Sequence, residues 1–142
     1  MVTAIVAGVV LLLCLALVFA VARDPGPPPG EVAVAYELAW DRLDFETLWS
    51  LSGTELRDDR PKHDFVAAKR AAYDRAPGLA GLARDVVLED VTAGADVAVA
   101  RTRIEATDGS VVRNELHLAR RDGTWLVVAY ELRESSDARP GA

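Results

Sequence analysis

Hydrophobic positions along the chain fall into three regimes. From Val2 to Ala22, "VTAIVAGVVLLLCLALVFAVA", only Thr3 and Gly8 stand outside the apolar set. From Glu31 the apolar positions become periodic: Val32, Ala35, Tyr36, Ala39, Trp40 and Leu43 follow the i, i+3, i+4, i+7 spacing of an amphipathic helix. Asp44 reads as the N-cap of a second short helix carrying Phe45, Leu48 and Trp49, with Gly53 ending it. Pro61 suits the first turn of a third, with Phe65, Ala68, Ala72 and Tyr73 on one face and Ala76-Pro77-Gly78 as its stop. Beyond that the period drops to two. Strands are predicted over Val86–Thr92, Asp96–Ala106, Val111–Arg120 and Thr124–Leu132, the last three joined by the turns Asp108-Gly109 and Asp122-Gly123. Helices first and an antiparallel meander second make an α+β domain.

If each Asp-Gly pair is a two-residue loop, Thr107 faces Ser110 and Arg121 faces Thr124. One sheet face then holds Val97, Val99, Arg101, Arg103, Val112, Asn114, Leu116, Leu118, Trp125, Val127, Ala129 and Glu131. It carries the larger apolar block, so the helices should cover it. The other holds Thr102, Glu115, His117 and Tyr130 beside Ala98, Ala100, Ile104, Leu126 and Val128.

The opening run has the length to cross a bilayer and no polar face, so residues 1–22 are expected to be a transmembrane anchor in contact with lipid through residues 2–22. No positive charge precedes it and it is long for a secretory signal, which favours an uncleaved anchor. Residues 23–30, "RDPGPPPG", form a stiff Pro/Gly-rich linker, the domain occupies 31–133, and 134–142 reads as a disordered tail. Arg23 flanks the span on its C-terminal side, which points to a single-pass protein of the cell membrane with the domain on the cytoplasmic side.

Charge and cysteine narrow the chemistry. The chain has 16 Lys+Arg against 22 Asp+Glu, a net charge of −6, all of it after the apolar run. An acidic domain without a basic run argues against nucleic acid. The one cysteine, Cys14, lies inside the run, so the domain has no disulfide, no cysteine metal site and no thiol nucleophile. No spacing of His, Asp and Glu suggests a metal site, and no cofactor motif is present.

The order of elements resembles the nuclear-transport-factor-like superfamily, which includes ketosteroid isomerases and SnoaL-like polyketide cyclases. The residues that carry the resemblance are the first helix with Tyr36 and Trp40, the helix "LDFETLWSL", the Phe65 helix and the closing strand "DGTWLVVAYEL". It implies a cone of three helices packed on a curved antiparallel sheet, with a cleft between them. Candidate pocket residues are Tyr36, Trp40, Arg103, Asn114 and Glu131, the last three expected in one row across three strands. There Arg103 would hold a carboxylate or phosphate, unless the row is only a cross-strand ion pair. The set Thr102, Glu115, His117 and Tyr130 falls on the opposite face as a solvated cluster, and the strip Leu126, Val128 and Tyr130 suggests a homodimer interface. No catalytic set of the family transfers residue by residue. The expected function is a membrane-displayed, non-catalytic binding or assembly domain of unknown partner. The alternatives are an isomerase, cyclase or dehydratase, or a small-ligand carrier using the cleft.

Overall fold

The structure is a computed structural model that describes the backbone of residues 2–21 and 26–136, with side chains at 6–19 and at 26–135 apart from 77. Four helices precede four strands: α1 (Val2–Val21), α2 (Pro29–Asp41), α3 (Phe45–Leu51), α4 (Lys62–Tyr73), β1 (Ala83–Ala93), β2 (Val97–Ala106), β3 (Val111–Arg121) and β4 (Thr124–Ser136). The strands form one antiparallel sheet in the order β1-β2-β3-β4. The α+β expectation is met. The linker expected at 23–30 is partly outside the described residues, and its last two positions belong to α2. The tail expected from 134 starts no earlier than 137, because β4 pairs with β3 as far as Ser136; residues 137–142 lie outside the described residues.

α1 is continuous, and its described side chains are all exposed. Among the described residues no helix is long and apolar enough to cross a membrane. The described side chains of α1 run only from 6 to 19, short of the roughly 20 residues a span requires. The transmembrane expectation therefore stands on the sequence alone.

Local chemistry sets the helix bounds. Pro29 opens α2 at a position whose N–H has no helical partner, and Glu31 lies in its first turn, where an acid faces the positive helix end. α2 ends two residues before the periodic Leu43. Leu43 takes a left-handed φ of 52°, and Asp44 N donates to Ala39 O at 2.8 Å. This Schellman-type stop is usually built on glycine. Asp44 then caps α3 as expected, accepting from Thr47 N at 3.1 Å and Thr47 Oγ1 at 2.7 Å.

The first Asp-Gly turn departs from expectation. Ala106, not Thr107, faces Ser110, and Ala106 N donates to Ser110 O at 2.9 Å. The loop is three residues, Thr107-Asp108-Gly109, with Gly109 at φ 83° in the left-handed position that such a loop requires. This moves the pairing by one residue, giving Thr102↔Asn114 and Arg103↔Arg113. Because side chains alternate along a strand, all of β2 changes face. The second turn is two residues as expected, with Asp122 and Gly123 both at positive φ and Arg121 facing Thr124. β4 then bulges between Val127 and Ala129, which reverses Ala129 to Leu132, and a second bulge before Glu134 restores the alternation.

The helices cover Ala98, Ala100 and Thr102 of β2, Asn114, Leu116 and Leu118 of β3, and Trp125 and Val127 of β4, all buried. Val32, Ala33, Tyr36 and Ala39 of α2, Phe45 and Leu48 of α3, and Phe65 and Val66 of α4 close the core. Leu116 has no exposure and sits at the sheet centre. Leu116→Ala should cost about 2–5 kcal/mol of stability in urea denaturation, the range for emptying a packed leucine site; a loss below about 1 kcal/mol would show that the helices do not pack on this face.

Candidate functional site

α2 carries a glutamate into the core. Glu37 follows Ala33 by four residues and precedes Trp40 by three, so it lies within the helix face that meets the sheet. It is only 4% exposed. Thr102 Oγ1 of β2 donates to Glu37 Oε1 at 2.7 Å, and Asn114 Nδ2 of β3 donates to the same oxygen at 3.0 Å. Among the described residues Oε2 has no hydrogen-bond partner and the carboxyl has no ion pair. Burial pushes the Glu37 carboxyl above its ordinary value, against the opposing effect of the Asn114 and Thr102 hydrogen bonds. With both donors on Oε1, Oε2 is left to carry the proton that burial favours.

Glu37 lines a cavity of about 470 Å³ between α2 and the sheet. Trp40 and Asp41 of α2 form one wall, Ile104 and Val112 another. The rim holds Leu79 and Leu82, both nearly half exposed, and the hairpin residues Asp108 and Ser110. Asp41 Oδ1 accepts Ala83 N–H at 2.8 Å, which ties α2 to β1 beside the mouth. Among the described residues two further polar atoms near the site are buried with no hydrogen-bond partner, Trp40 Nε1 and Asn114 Oδ1. Such orphans cost about 1–3 kcal/mol each, and folded proteins keep few of them.

Aromatic packing surrounds this region. Trp40 meets Phe45 edge-on at 6.2 Å and Tyr73 at 5.9 Å, and Tyr36 lies 6.3 Å from Tyr130. Burial pushes the Tyr36 hydroxyl up. Trp49 is held elsewhere: its ring lies under the Arg57 guanidinium at 3.7 Å and its Nε1 donates to Arg60 O at 3.2 Å.

The expected row of Arg103, Asn114 and Glu131 does not form. Asn114 is on the cleft side. The three-residue turn puts Arg103 on the opposite face, where it pairs with Glu89 and Glu105, each at 3.6 Å. The β4 bulge puts Glu131 there too, 3.4 Å from Arg133. The second expected cluster also divides. Thr102 and Tyr130 turn to the helices, while Glu115 and His117 remain outside at 3.2 Å from one another. Tyr130 is thereby separated from Leu126 and Val128, so the apolar strip expected at a dimer interface is broken. Glu115 accepts from Arg133 at 2.6 Å and Arg101 at 3.1 Å, and these arginines hold its carboxyl at about 2. Donor atoms of Glu115, His117 and Glu131 lie within 4.8 Å of one another, but the cation among them is Arg133.

Of the sequence candidates, Trp40 lines the cavity, Tyr36 and Asn114 are buried between the helices and the sheet, and Arg103 and Glu131 lie on the opposite face. Glu37 was missed. Its one signal was an acid placed within the apolar stripe of α2.

Neither a protein-family model nor a curated protein matches the chain. Solved structures do. A Campylobacter jejuni protein provisionally named an NTF2-like transpeptidase superposes with a TM-score of 0.51 at 20% identity, over 71% of this chain and 97% of that one. An NTF2-like protein of unknown function from Silicibacter pomeroyi gives 0.48 at 17% identity, over 72% and 91%. One from Methylobacillus flagellatus gives 0.47 at 19%, over 73% and 88%. The first of these shows the fold: the domain is NTF2-like.

Two pH effects follow. A folded pKa above the unfolded value gives stability that is complete below about 4.5 and declines as pH rises through the folded value. Glu37→Gln removes that decline. In urea denaturation from about pH 4.5 to 8, the stability of the variant relative to the native chain should increase with pH, and a constant difference would contradict a buried neutral carboxyl. Glu115 has the opposite sign: its contribution is present above about 4.5 and lost as pH falls toward about 2. Arg133→Ala should move the Glu115 midpoint upward in a carbon-13 NMR titration; no movement would contradict its assigned hold.

Proposed function

We propose that the chain is a membrane-anchored, non-catalytic binding protein whose NTF2-like domain takes a small, mostly apolar ligand in the cleft at Glu37. One observation carries the reading: a cavity of about 470 Å³ contains a buried carboxyl with one oxygen that the protein does not use. An apolar pocket with a few placed polar groups is the usual form of a small-molecule site. Two orphaned polar atoms close by fit a region kept for binding more than for stability. No histidine, cysteine, lysine or arginine lines the cavity, which favours binding over turnover. The second reading is an acid–base enzyme of the isomerase, cyclase or dehydratase kind, favoured by the upward-shifted Glu37 in an apolar setting.

The anchor is supported by the uninterrupted apolar run of residues 2–22. Arg23 supports placement of the domain on the cytoplasmic side.

Native mass spectrometry tests the cleft. The purified full chain should retain a small molecule, and Ile104→Trp, which fills the cavity from its sheet wall, should abolish retention. A retained mass unaffected by Ile104→Trp contradicts the cleft as the site. Cell fractionation tests the anchor: the full chain should stay with membranes through an alkaline wash, and deletion of residues 2–22 should release it. A full chain found in the supernatant would remove the anchor from the account.

A further inference from the structure

We infer that the ligand of this cleft is an organic cation: an ammonium group carried on an apolar body. The inference rests on the cleft reading above and adds the charge of the ligand to it. Among the described residues three carboxyl groups line the cavity, Glu37, Asp41 and Asp108, and no lysine, arginine or histidine does. Among the described residues none of the three has an ion pair. Asp41 accepts a backbone N–H, Asp108 accepts from Ser110 at its own turn, and Glu37 accepts from two neutral side chains.

The contrast with the other sheet face gives this weight. There Glu89, Glu105, Glu115 and Glu134 are each paired with an arginine. The domain thus neutralises acids on one face and leaves the cleft unmatched. Lys69 of α4 is a cation packed against a residue of the cavity wall. It lies 5.8 Å from the Trp40 ring centroid and 3.4 Å from Asp58, and it does not line the cavity.

The arrangement also has a direction. Asp108 stands at the rim, half-buried Asp41 lies further along the α2 wall, and nearly inaccessible Glu37 lies one turn beyond Asp41. A cation entering past Leu79 and Leu82 meets negative charge from rim to depth, while its apolar body rests on Ile104 and Val112. Among the described residues both hydrogen bonds to Glu37 end on Oε1, which leaves Oε2 for a ligand. An anionic ligand would face three carboxyls. A neutral ligand would leave the Glu37 carboxyl without a charge partner. An ammonium ion favours the carboxylate form of Glu37, so a proton held there goes to solvent on binding, and a charge-assisted hydrogen bond forms that is stronger than a neutral one.

Three probes with one body separate the cases: 4-phenylbutylamine, 4-phenylbutanol and 4-phenylbutyrate, titrated calorimetrically into the full chain in non-ionic micelles with empty micelles as blank. The amine should bind at least about tenfold more tightly than the alcohol, and the acid more weakly than either. Heats measured in buffers of different ionisation enthalpy should report proton release on binding the amine and none on binding the alcohol. Glu37→Gln should bring the amine to within about threefold of the alcohol measured with the same variant, and alcohol binding that the variant retains shows that it keeps its cleft. Alcohol binding as tight as the amine, abolished by Ile104→Trp, would overturn the cation and leave the cleft standing. Binding indifferent to Ile104→Trp, or no binding by any probe, would overturn both.

Discussion

The two hydrogen bonds that end on Glu37 Oε1 join the helix layer to the sheet, and the domain is arranged around them. Thr102 and Asn114 come from adjacent strands and face one another directly across the ladder. One oxygen of α2 therefore fixes the helix against β2 and β3 together. Had the ladder moved by one residue, Thr102 would point to solvent and Glu37 would be buried with a single donor. An unpaired polar group in such a setting costs about as much as a whole hydrogen bond contributes, and often more. The three-residue turn at Thr107-Asp108-Gly109 sets this register, so a turn remote from the cleft floor determines its chemistry.

Element order and type were legible in the sequence because they rest on periodicity and capping. The 3.6-residue stripe of α2, the Asp44 cap and the alternation of four strands are all present as expected. Which residues meet was less legible, because pairing depends on single-residue choices. Asp-Gly suits both a two-residue loop and the end of a three-residue one, and the two such pairs in this chain divide between those forms. The bulge near Val128 leaves no mark in an apolar strand. Those two events moved Arg103 and Glu131 away from Asn114 and turned Thr102 and Tyr130 inward. Glu37 was concealed by the opposite habit, that acids on amphipathic helices face water; its neighbours Ala33 and Trp40 show that it does not.

The two faces of the sheet handle charge differently. Outside, arginines and glutamates form a screened network in which Glu115 stays ionised beside Arg133 and Arg101. Inside, one carboxyl is kept from water with only neutral donors, which favours its protonated form. Paired surface charges contribute modestly to stability. An unpaired buried acid is a cost to the fold, and a ligand that uses its free oxygen offsets that cost.

The state of Glu37 in the unliganded protein is the point on which this account turns. Carbon-13 NMR titration of its side-chain carboxyl in the full chain measures that state directly. A midpoint above 4.5, the ordinary glutamate value, is predicted. A midpoint at or below 4.5 would mean that the carboxyl is solvated or paired, and would contradict the buried site from which the function is argued.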